Sequence, residues 1–309
     1  MHKAAALMIG MALALGAPAG PAWAQDVSFL GMTAFHDNDV LFDGDDRWQT
    51  GGASISWMFG PEGLADLPGA PGELWEIRVR GQVISPDDFT APAAWDRRAA
   101  SVLTTTLHTH FETHGVELSA GAGFALTGPQ VPLIRFQNVI HTLTPANDPL
   151  VPGFVQAAQI PNAVYLTGIG EAAYRLRLGE GITLRPFAEL QGGVETLGRV
   201  GFDVFFGAGF DRGVLARDGT TGFAYQTIEG TAPRGVTLTA GADVAKVASS
   251  ALLPAPAYSL TPWRLRARAG LLYEGRRVSV FQGVSWLGPE FTAQPSGQVV
   301  TAFQVQYRF

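Results

Sequence analysis

The sequence predicts an all-β protein, an antiparallel transmembrane β-barrel of about twelve strands with a short helix in an extracellular connection. Three observations support this prediction. The chain is 47% hydrophobic but only 16% charged, whereas a soluble domain usually has about a quarter charged residues. After the N-terminal leader, no segment offers the roughly 18 consecutive apolar residues of a spanning helix. Apolar and polar residues instead alternate along many segments, as in strands that face lipid on one side and a polar interior on the other.

The alternation is clearest in two segments near the C-terminus. In the last segment, apolar residues up to the terminal Phe309 share one face, and Gln304 lies on the other. In an earlier segment, Arg264, Arg266 and Arg268 share one face, which suits the polar interior of a barrel. The terminal aromatic resembles the C-terminal signal of outer-membrane barrels. A soluble all-β sandwich is the alternative, and the low charge disfavours it.

Twelve predicted strands follow at regular spacing. We place them at 26–35, 51–59, 73–84, 98–112, 114–127, 163–178, 181–194, 198–211, 235–247, 263–274, 276–286 and 297–309. Bacterial outer-membrane barrels have an even number of strands, short periplasmic turns and longer external connections. Two connections do not fit this rule, because 60–72 and 212–234 are long for periplasmic turns.

Residues 1–24 are predicted to be a secretory signal peptide, and residues 25–309 the barrel domain. A basic start precedes an apolar run and an A-x-A cleavage site that ends at Ala24. We also expect a monomer in the cell outer membrane that requires the barrel-assembly machinery for insertion. The net charge of −6 argues against nucleic acid as a partner. The absence of cysteine excludes disulfides and thiolate metal sites.

An acidic stretch from Phe35 to Gly52 lies between the first two predicted strands. It carries five aspartates, namely Asp37, Asp39, Asp43, Asp45 and Asp46. Carboxylates this close repel one another unless a cation lies between them, and Arg47 or a hard cation such as Ca²⁺ could serve. The stretch does not match the calcium-loop pattern D-x-[DN]-x-[DN]-G-x₅-E, so a solvated acidic loop remains an alternative.

The connection after the fifth predicted strand contains a helix that begins near Pro132, since proline suits the first helical turn. Its apolar stripe consists of Leu133, Phe136, Ile140 and Leu143. Gln137, Asn138 and His141 share another face, because residues three and four apart are neighbours on a helix. Strand parity puts this helix and the acidic stretch on the same, external side. A histidine near carboxylates can act as a general base on water, although a lone helical histidine is more often structural.

Other candidate motifs are weaker. No G-x-S-x-G or H-E-x-x-H motif occurs, so neither a serine nucleophile elbow nor a zinc-protease helix is indicated. His108 and His110 alternate along a predicted strand, and we expect them to fill the barrel interior.

Four short elements occur in a fixed order in the first half of the chain. They are Asn38-Asp39, the run from Asp46 to Gly52, Ser85-Pro86 with Asp96-Arg97, and the run from Gln137 to His141. Together they resemble the outer-membrane lipid A 3′-O-deacylase family, LpxR. The resemblance implies a twelve-stranded barrel and a calcium-dependent carboxylic ester hydrolase. Its implied substrate is the ester-linked 3′-acyloxyacyl chain of lipid A, the membrane anchor of lipopolysaccharide in the outer leaflet.

The resemblance also implies roles for particular residues. The implied catalytic residues are Asn38, Asp39, Thr50 and His141, with His141 as the base that activates water. Asp39 and Asn38 are the implied ligands of Ca²⁺. Gln137 and Asn138 match the family residues one turn before the histidine and are implied to contact the substrate.

The sequence departs from the family at two places. Asn147, followed by Asp148, stands where the family's best-known form has a glutamate six residues after the histidine. Ala91 and Pro92 stand in place of a basic pair. The phosphate contacts of that pair could come from Arg97, Arg98 and Arg135, for which ion pairing in the barrel wall is the alternative.

Two other functions remain open at this point. One is an esterase acting on another outer-leaflet lipid, such as a phospholipid. The other is a non-catalytic barrel that serves as a pore or a scaffold.

Overall fold

The computed structural model describes residues 27–39, 47–143, 150–207, 209–210, 212–229, 235–276 and 278–307. The predicted signal peptide, Asp43, Asp45 and Asp46, the Asn147-Asp148 pair and Phe309 lie outside these described residues. Neither of the two helices in the described part is long and apolar enough to cross a membrane.

The described chain is mostly strand. The strands are β1 (Ser28–Asn38), β2 (Trp48–Gly60), β3 (Trp75–Ser85), β4 (Ala100–Thr113), β5 (Val116–Thr127), β6 (Ala163–Tyr174), β7 (Leu176–Gly179), β8 (Ile182–Gly192), β9 (Glu195–Phe206), β10 (Gly213–Arg217), β11 (Ala224–Glu229), β12 (Gly235–Ser250), β13 (Arg264–Glu274), β14 (Val278–Leu287) and β15 (Gln298–Tyr307). Two helices, α1 (Leu133–Leu143) and α2 (Gly153–Ala157), follow β5.

Twelve strands close into an antiparallel barrel. Neighbouring strands pair in sequence around the wall, and β15 pairs back onto β1. Only Arg175 separates β6 from β7, and both pair with β8, so they form one strand of the wall. The remaining two strands, β10 and β11, form a separate hairpin. The predicted twelve-stranded antiparallel barrel with a helix in the connection after β5 is therefore confirmed.

The first strand is longer than predicted. It continues to Asn38 rather than ending at 35, because Asn38 pairs with Gly51 of β2 and with Thr301 of β15. The start of the acidic stretch is therefore part of the wall and not a loop. At the other end of the wall, β9 ends earlier than predicted, at Phe206, and Gly207 follows it with a φ of 132°.

The outward face of the barrel is apolar. Large hydrophobic side chains exposed there include Phe29, Met32, Leu107, Val164, Leu166, Leu190, Val200, Phe202, Val236, Leu238, Trp286 and Phe303. A patch of this extent is rare on soluble monomers. It is the surface that lipid covers in an outer-membrane barrel.

The inward face is charged and paired. The arginine face predicted for the 263–274 strand points into the lumen, where Arg268 bonds to Asp203 at 2.6 Å and to Asp243 at 2.5 Å. Arg199 and Arg266 also pair with Asp243. Such pairing is required because an isolated buried charge is very costly.

His108 and His110 lie buried among these groups, as predicted. His110 Nε2 is 2.7 Å from Glu76 Oε2, and His108 Nε2 is 2.8 Å from Thr106 Oγ1. Their contacts are with other lumen side chains, which agrees with an interior-filling role.

The β10–β11 hairpin, which the sequence analysis treated as part of a periplasmic connection, fills the lumen. Arg217 of the hairpin bonds to Glu171 at 2.6 Å and to Asp203 at 2.9 Å, and both acids belong to the wall. At its tip, Asp218 pairs with Arg80, and the Gly219 carbonyl accepts a hydrogen bond of 2.6 Å from Arg266. The length of connection 212–234 is explained because the segment turns back into the barrel.

The second long connection, 60–72, covers the same end of the barrel. Its Leu64 and Leu67 pack against Met58 and Val214. Asp66 accepts a hydrogen bond of 3.1 Å from the backbone N–H of Gly213, at the base of the hairpin. The connection is therefore long because it holds the hairpin in place.

Candidate active site at the outer rim

The outer ends of β1 and β2 bring three predicted site residues together. The Asn38 amide donates to the Thr50 carbonyl at 3.2 Å, and the Asp39 backbone N–H donates to the same carbonyl at 3.4 Å. The Asp39 carboxylate is buried and accepts a hydrogen bond of 2.9 Å from the backbone N–H of Arg47. These contacts fix the acidic residue against the strand that carries Thr50.

A bulge in β2 shapes this corner. The register between β2 and β3 shifts between Trp48 and Gly51, and bulges of this kind redirect side chains near functional sites. Trp48 has a φ of 48° and is anchored by its indole N–H, which donates to Asp96 at 3.2 Å. The Arg47 guanidinium lies 4.7 Å from the Trp48 ring centre.

Asp96 accepts the hydrogen bond that holds the Trp48 side chain in place. Burial raises the pKa of Asp96, and hydrogen bonds from the backbone N–H groups of Asp87 and Arg97 and from the Trp48 indole oppose that rise. These donors all stabilise the charged carboxylate. Asp96 therefore serves to hold the β2 bulge.

Two glycines of the motif allow the close approach of β1. A Cβ on Gly52 would lie 2.7 Å from Asp37 Oδ1 and 2.9 Å from Arg80 Nη2. A Cβ on Gly51 would lie 3.3 Å from Asn38 Nδ2. Asp37 itself points into the lumen, where it pairs with Arg80 at 3.2 Å. It is therefore directed away from the corner formed by Asn38, Asp39 and Thr50.

Helix α1 lies on the outside of the wall next to this corner. Ile134 is buried against Val83 of β3, and its backbone N–H donates to Ser101 Oγ of β4 at 3.4 Å. Val83 pairs with Gly51 of β2. The face of the wall that carries Thr50 therefore adjoins the face that carries α1.

The predicted polar face of α1 is turned toward the protein. Gln137, Asn138 and His141 are each half-buried. Asn138 exchanges two hydrogen bonds with the backbone of Val151, one of 3.1 Å to the carbonyl and one of 2.9 Å from the N–H. Asn138 therefore clamps α1 to the segment that leads into α2, a role the sequence analysis did not predict.

Three buried oxygen atoms, one each on β2, β3 and α1, have no hydrogen-bond partner within the described ranges. They are Thr50 Oγ1, Ser85 Oγ and Gln137 Oε1. Buried polar atoms are nearly always hydrogen-bonded, so each of these atoms is available to water or a ligand. Ser85 lies opposite Trp48 in the sheet. It was noted in the sequence only as part of the Ser-Pro element.

The predicted phosphate-binding arginines differ in their surroundings. Arg97 is buried and pairs with Glu290, which also pairs with Arg264 at 3.2 Å. Burial would raise the pKa of Glu290, but the guanidinium groups of Arg97 and Arg264 and the Gln49 amide lower it to about 2. Arg97 therefore has the ion-pairing environment that the sequence analysis held as its alternative.

The other two arginines are exposed. Arg98 donates to the carbonyls of Ala158 at 2.6 Å and Gln159 at 3.1 Å, and so fastens the chain that follows α2. Arg135 is on α1 beside a cleft that Gln156 of α2 also lines. Of the three, Arg135 has the guanidinium best placed to meet an anion at the surface.

The corner offers oxygen donors that suit a hard cation. The Asp39 carboxylate, the Asn38 amide and the Thr50 hydroxyl are the ligand types that Ca²⁺ prefers, and Thr50 Oγ1 is one of the buried atoms lacking a partner in the described part of the chain. In that same part, no three His, Cys, Asp or Glu side chains lie close enough to hold a metal ion. Among the described residues, the ligands for a Ca²⁺ ion here besides Asp39 would be amide, hydroxyl or carbonyl oxygens.

Known proteins support the fold and the family. The structure of LpxR from Salmonella typhimurium is similar, with a TM-score of 0.73 and 15% identity over 90% of this chain and 99% of that chain; at this identity the likeness shows the fold. Two other barrels match with TM-scores of 0.42 and are too distant to support an argument. The NanC porin has 4% identity over 90% of this chain and 100% of that chain. The translocator domain of the autotransporter NalP from Neisseria meningitidis has 11% identity over 99% of this chain and 96% of that chain. No curated protein matches the sequence. The family model described as outer membrane protein LpxR matches residues 7–309, so this chain belongs to the LpxR family of outer-membrane proteins.

Proposed function

We propose that the protein is a lipid A 3′-O-deacylase, which hydrolyses the ester that links the 3′-acyloxyacyl chain to lipid A in the outer leaflet. The observation that carries this proposal is that two distant motifs lie on adjacent parts of one rim of the barrel, on either side of Val83. Asn38, Asp39 and Thr50 lie on the wall next to the helix that carries Gln137 and His141. Membership of the LpxR family supports the same function.

In the proposed reaction, His141 is the general base. Its neutral imidazole takes a proton from water while the water oxygen attacks the ester carbonyl carbon. The bond between that carbon and the sugar 3′-oxygen then breaks, and the imidazolium returns the proton to the sugar oxygen. The products are a free acyloxyacyl carboxylic acid and lipid A with a free 3′-hydroxyl.

Other residues position the reactants. Asp39 and Asn38 would hold Ca²⁺, and the ion, when bound, would polarise the ester carbonyl. Gln137 offers a buried amide oxygen for water or substrate. Arg135 would contact a lipid A phosphate, because a guanidinium pairs well with phosphate. Asn138 keeps α1 in place through Val151.

The filled lumen disfavours the pore alternative. The β10–β11 hairpin and the ion pairs of Arg217, Arg266 and Arg268 occupy the interior within the described ranges. A cavity of about 160 Å³ remains beside the hairpin tip, and Arg80, Gln82 and Thr220 line it. This interior is packed in the manner of small barrels whose side chains fill the lumen.

Mass spectrometry of lipid A tests the proposal. Cells that express the protein should lose the 3′-acyloxyacyl unit, whereas cells that express His141→Ala should keep it. His114→Asn is the matched control, because His114 is exposed in the turn between β4 and β5 at the other end of the barrel, and this variant should remain active. Unchanged lipid A with released lysophospholipid would instead identify a phospholipase, and a covalent acyl-enzyme on Ser85 would remove His141 from the role of water-activating base.

A further inference from the structure

The segment formed by residues 129–143 and 150–162, which we call the outer arm, exposes an apolar face. The helix α1 buries Ile134, but large apolar side chains elsewhere on the outer arm are open, with Leu143 76% and Phe136 62% exposed. The exposed set consists of Phe136, Val139, Ile140, Leu143, Leu150 and Phe154. A concentrated apolar surface of this kind marks an interaction site.

The outer arm lies beside the wall and not over the lumen. Side chains alternate along β3, so that Arg80 and Gln82 face the lumen while Gly81 and Val83 face outward. A Cβ on Gly81 would lie 3.2 Å from Leu133 Cδ1, so α1 covers the outward face. On the outside of an outer-membrane barrel, the neighbouring medium is lipid.

The depth of this contact follows from the strand geometry. Gly81 is four residues before Ser85, the outer end of β3. At about 3.3 Å per residue and a tilt of about 40°, Gly81 lies about 10 Å below that end. Amphipathic helices that lie in a membrane interface bury their apolar face to roughly 5–10 Å. The start of α1 therefore lies below the outer end of β3 by a distance comparable to that depth of burial.

We propose that the apolar face of the outer arm is inserted among the acyl chains of the outer leaflet. The face is continuous with the lipid-facing wall through Leu133 and Gly81, and this continuity identifies lipid as its occupant. The opposite face carries Gln137, Asn138 and His141 and is turned toward the protein. Arg135, which is exposed near the start of α1, is then at the level of the headgroup phosphates.

This inference rests on the outer-membrane location and not on the proposed reaction. A depth measurement needs no turnover, so its failure leaves the deacylase proposal intact. If the protein has no deacylase activity, the inference about the membrane contact is equally unaffected. The two proposals can therefore fail separately.

The chain has no cysteine, so single-cysteine variants can be labelled cleanly. We choose Val139→Cys on α1 as the test position and Ala91→Cys as the control. Ala91 is an exposed residue in the β3–β4 connection, and its backbone N–H is bonded to the Asp88 carboxylate at 3.1 Å, so its surroundings are polar. Both variants carry an NBD fluorophore, and the full barrel is reconstituted in phosphatidylcholine vesicles with or without doxyl-labelled lipid.

The label at Val139 should show blue-shifted emission and lose most of its fluorescence in doxyl-containing vesicles. The label at Ala91 should emit as in water and be quenched by iodide instead. Phe154→Cys, on α2, should behave as Val139→Cys does. Emission from Val139 that matches Ala91 would overturn the inference. A label shielded from both quenchers, together with a doubled particle mass, would assign the face to a second copy of the chain and would also overturn it.

Discussion

Glu290 joins three parts of the outer rim, and its removal should weaken the barrel in a way that depends on pH. Its carboxylate pairs with Arg97 and Arg264 and accepts hydrogen bonds of 3.1 Å from the Gln49 amide. The variant Glu290→Gln keeps the size of the side chain and removes its charge. Two buried guanidinium groups then lose their shared anion, and breaking a buried ion pair typically costs about 3–5 kcal/mol.

The pKa of Glu290 gives a second measure of the same interaction. A fall from 4.5 to about 2 corresponds to about 3 kcal/mol, since each pH unit is worth about 1.4 kcal/mol. Because the folded state has the lower pKa, this stability is fully present above about pH 4.5 and is lost as the pH falls toward 2. Both arguments give a loss of about 3 kcal/mol near neutral pH.

The difference in stability is measured by unfolding the barrel with denaturant in detergent micelles. The heat-dependent gel shift of the folded barrel serves as the readout. The free energy of unfolding of the wild type should exceed that of Glu290→Gln by about 3 kcal/mol at pH 7. This difference in stability should narrow below about pH 4.5. Glu62→Gln, at an exposed position in the connection after β2, is the control and should match wild type at both pH values. A gap at pH 7 below about 0.5 kcal/mol, the usual range of a surface change, or a gap that ignores pH, would refute the reasoning.

Three further predictions concern the rim. His141→Ala should lower the rate of lipid A deacylation roughly 10²–10⁴-fold, the usual range for a positioned acid–base group, in a barrel that still shows the gel shift; a variant as fast as wild type would return His141 to a structural role. A chelator should abolish activity and added Ca²⁺ restore it, and Asp39→Asn should raise the Ca²⁺ concentration required; full activity in excess chelator would exclude the ion. Asn138→Ala removes two hydrogen bonds worth about 1 kcal/mol each, so the backbone amides of α1 should exchange with solvent faster. For lipid A deacylation, kcat should fall by a larger factor than KM changes. Unchanged amide exchange would show that the hydrogen bonds to Val151 are dispensable.

The wall could be predicted from the sequence because each strand carries its own signal. Alternation of apolar and polar residues is local, so it identifies the strands and, through their even number, the side of each connection. The requirement for an even number of wall strands is also the reason that the β10–β11 hairpin was not predicted. The Asp218-Gly219 pair between two short apolar runs is a hairpin signal, but counting β10 and β11 as wall strands would have changed the connections around them. Nothing local in the sequence shows that a hairpin turns into the lumen.

For the residues of the rim, the sequence predicts what each side chain can bind but not which group it contacts in the fold. Arg97 was a candidate for phosphate, yet its partner is Glu290, and no local pattern joins positions so far apart in the chain. Asn138 was expected to contact substrate, and its hydrogen bonds to Val151 depend on how the chain returns after α1. Residue 147, which stands at the family's glutamate, lies outside the described residues, and its role stays a prediction.

The hairpin in the lumen also has a consequence for the closure of the wall. It touches both strands of the seam where the first and last strands of the barrel meet. Tyr225 stacks on Phe35 of β1 with ring centres 4.8 Å apart, and the Gln226 carbonyl accepts hydrogen bonds of 3.1 Å from Gln304 and Gln306 of β15. The seam itself is short, because its described register runs only from Phe35 to Asn38 on β1. The hairpin therefore adds contacts that hold the first and last strands together across this short seam.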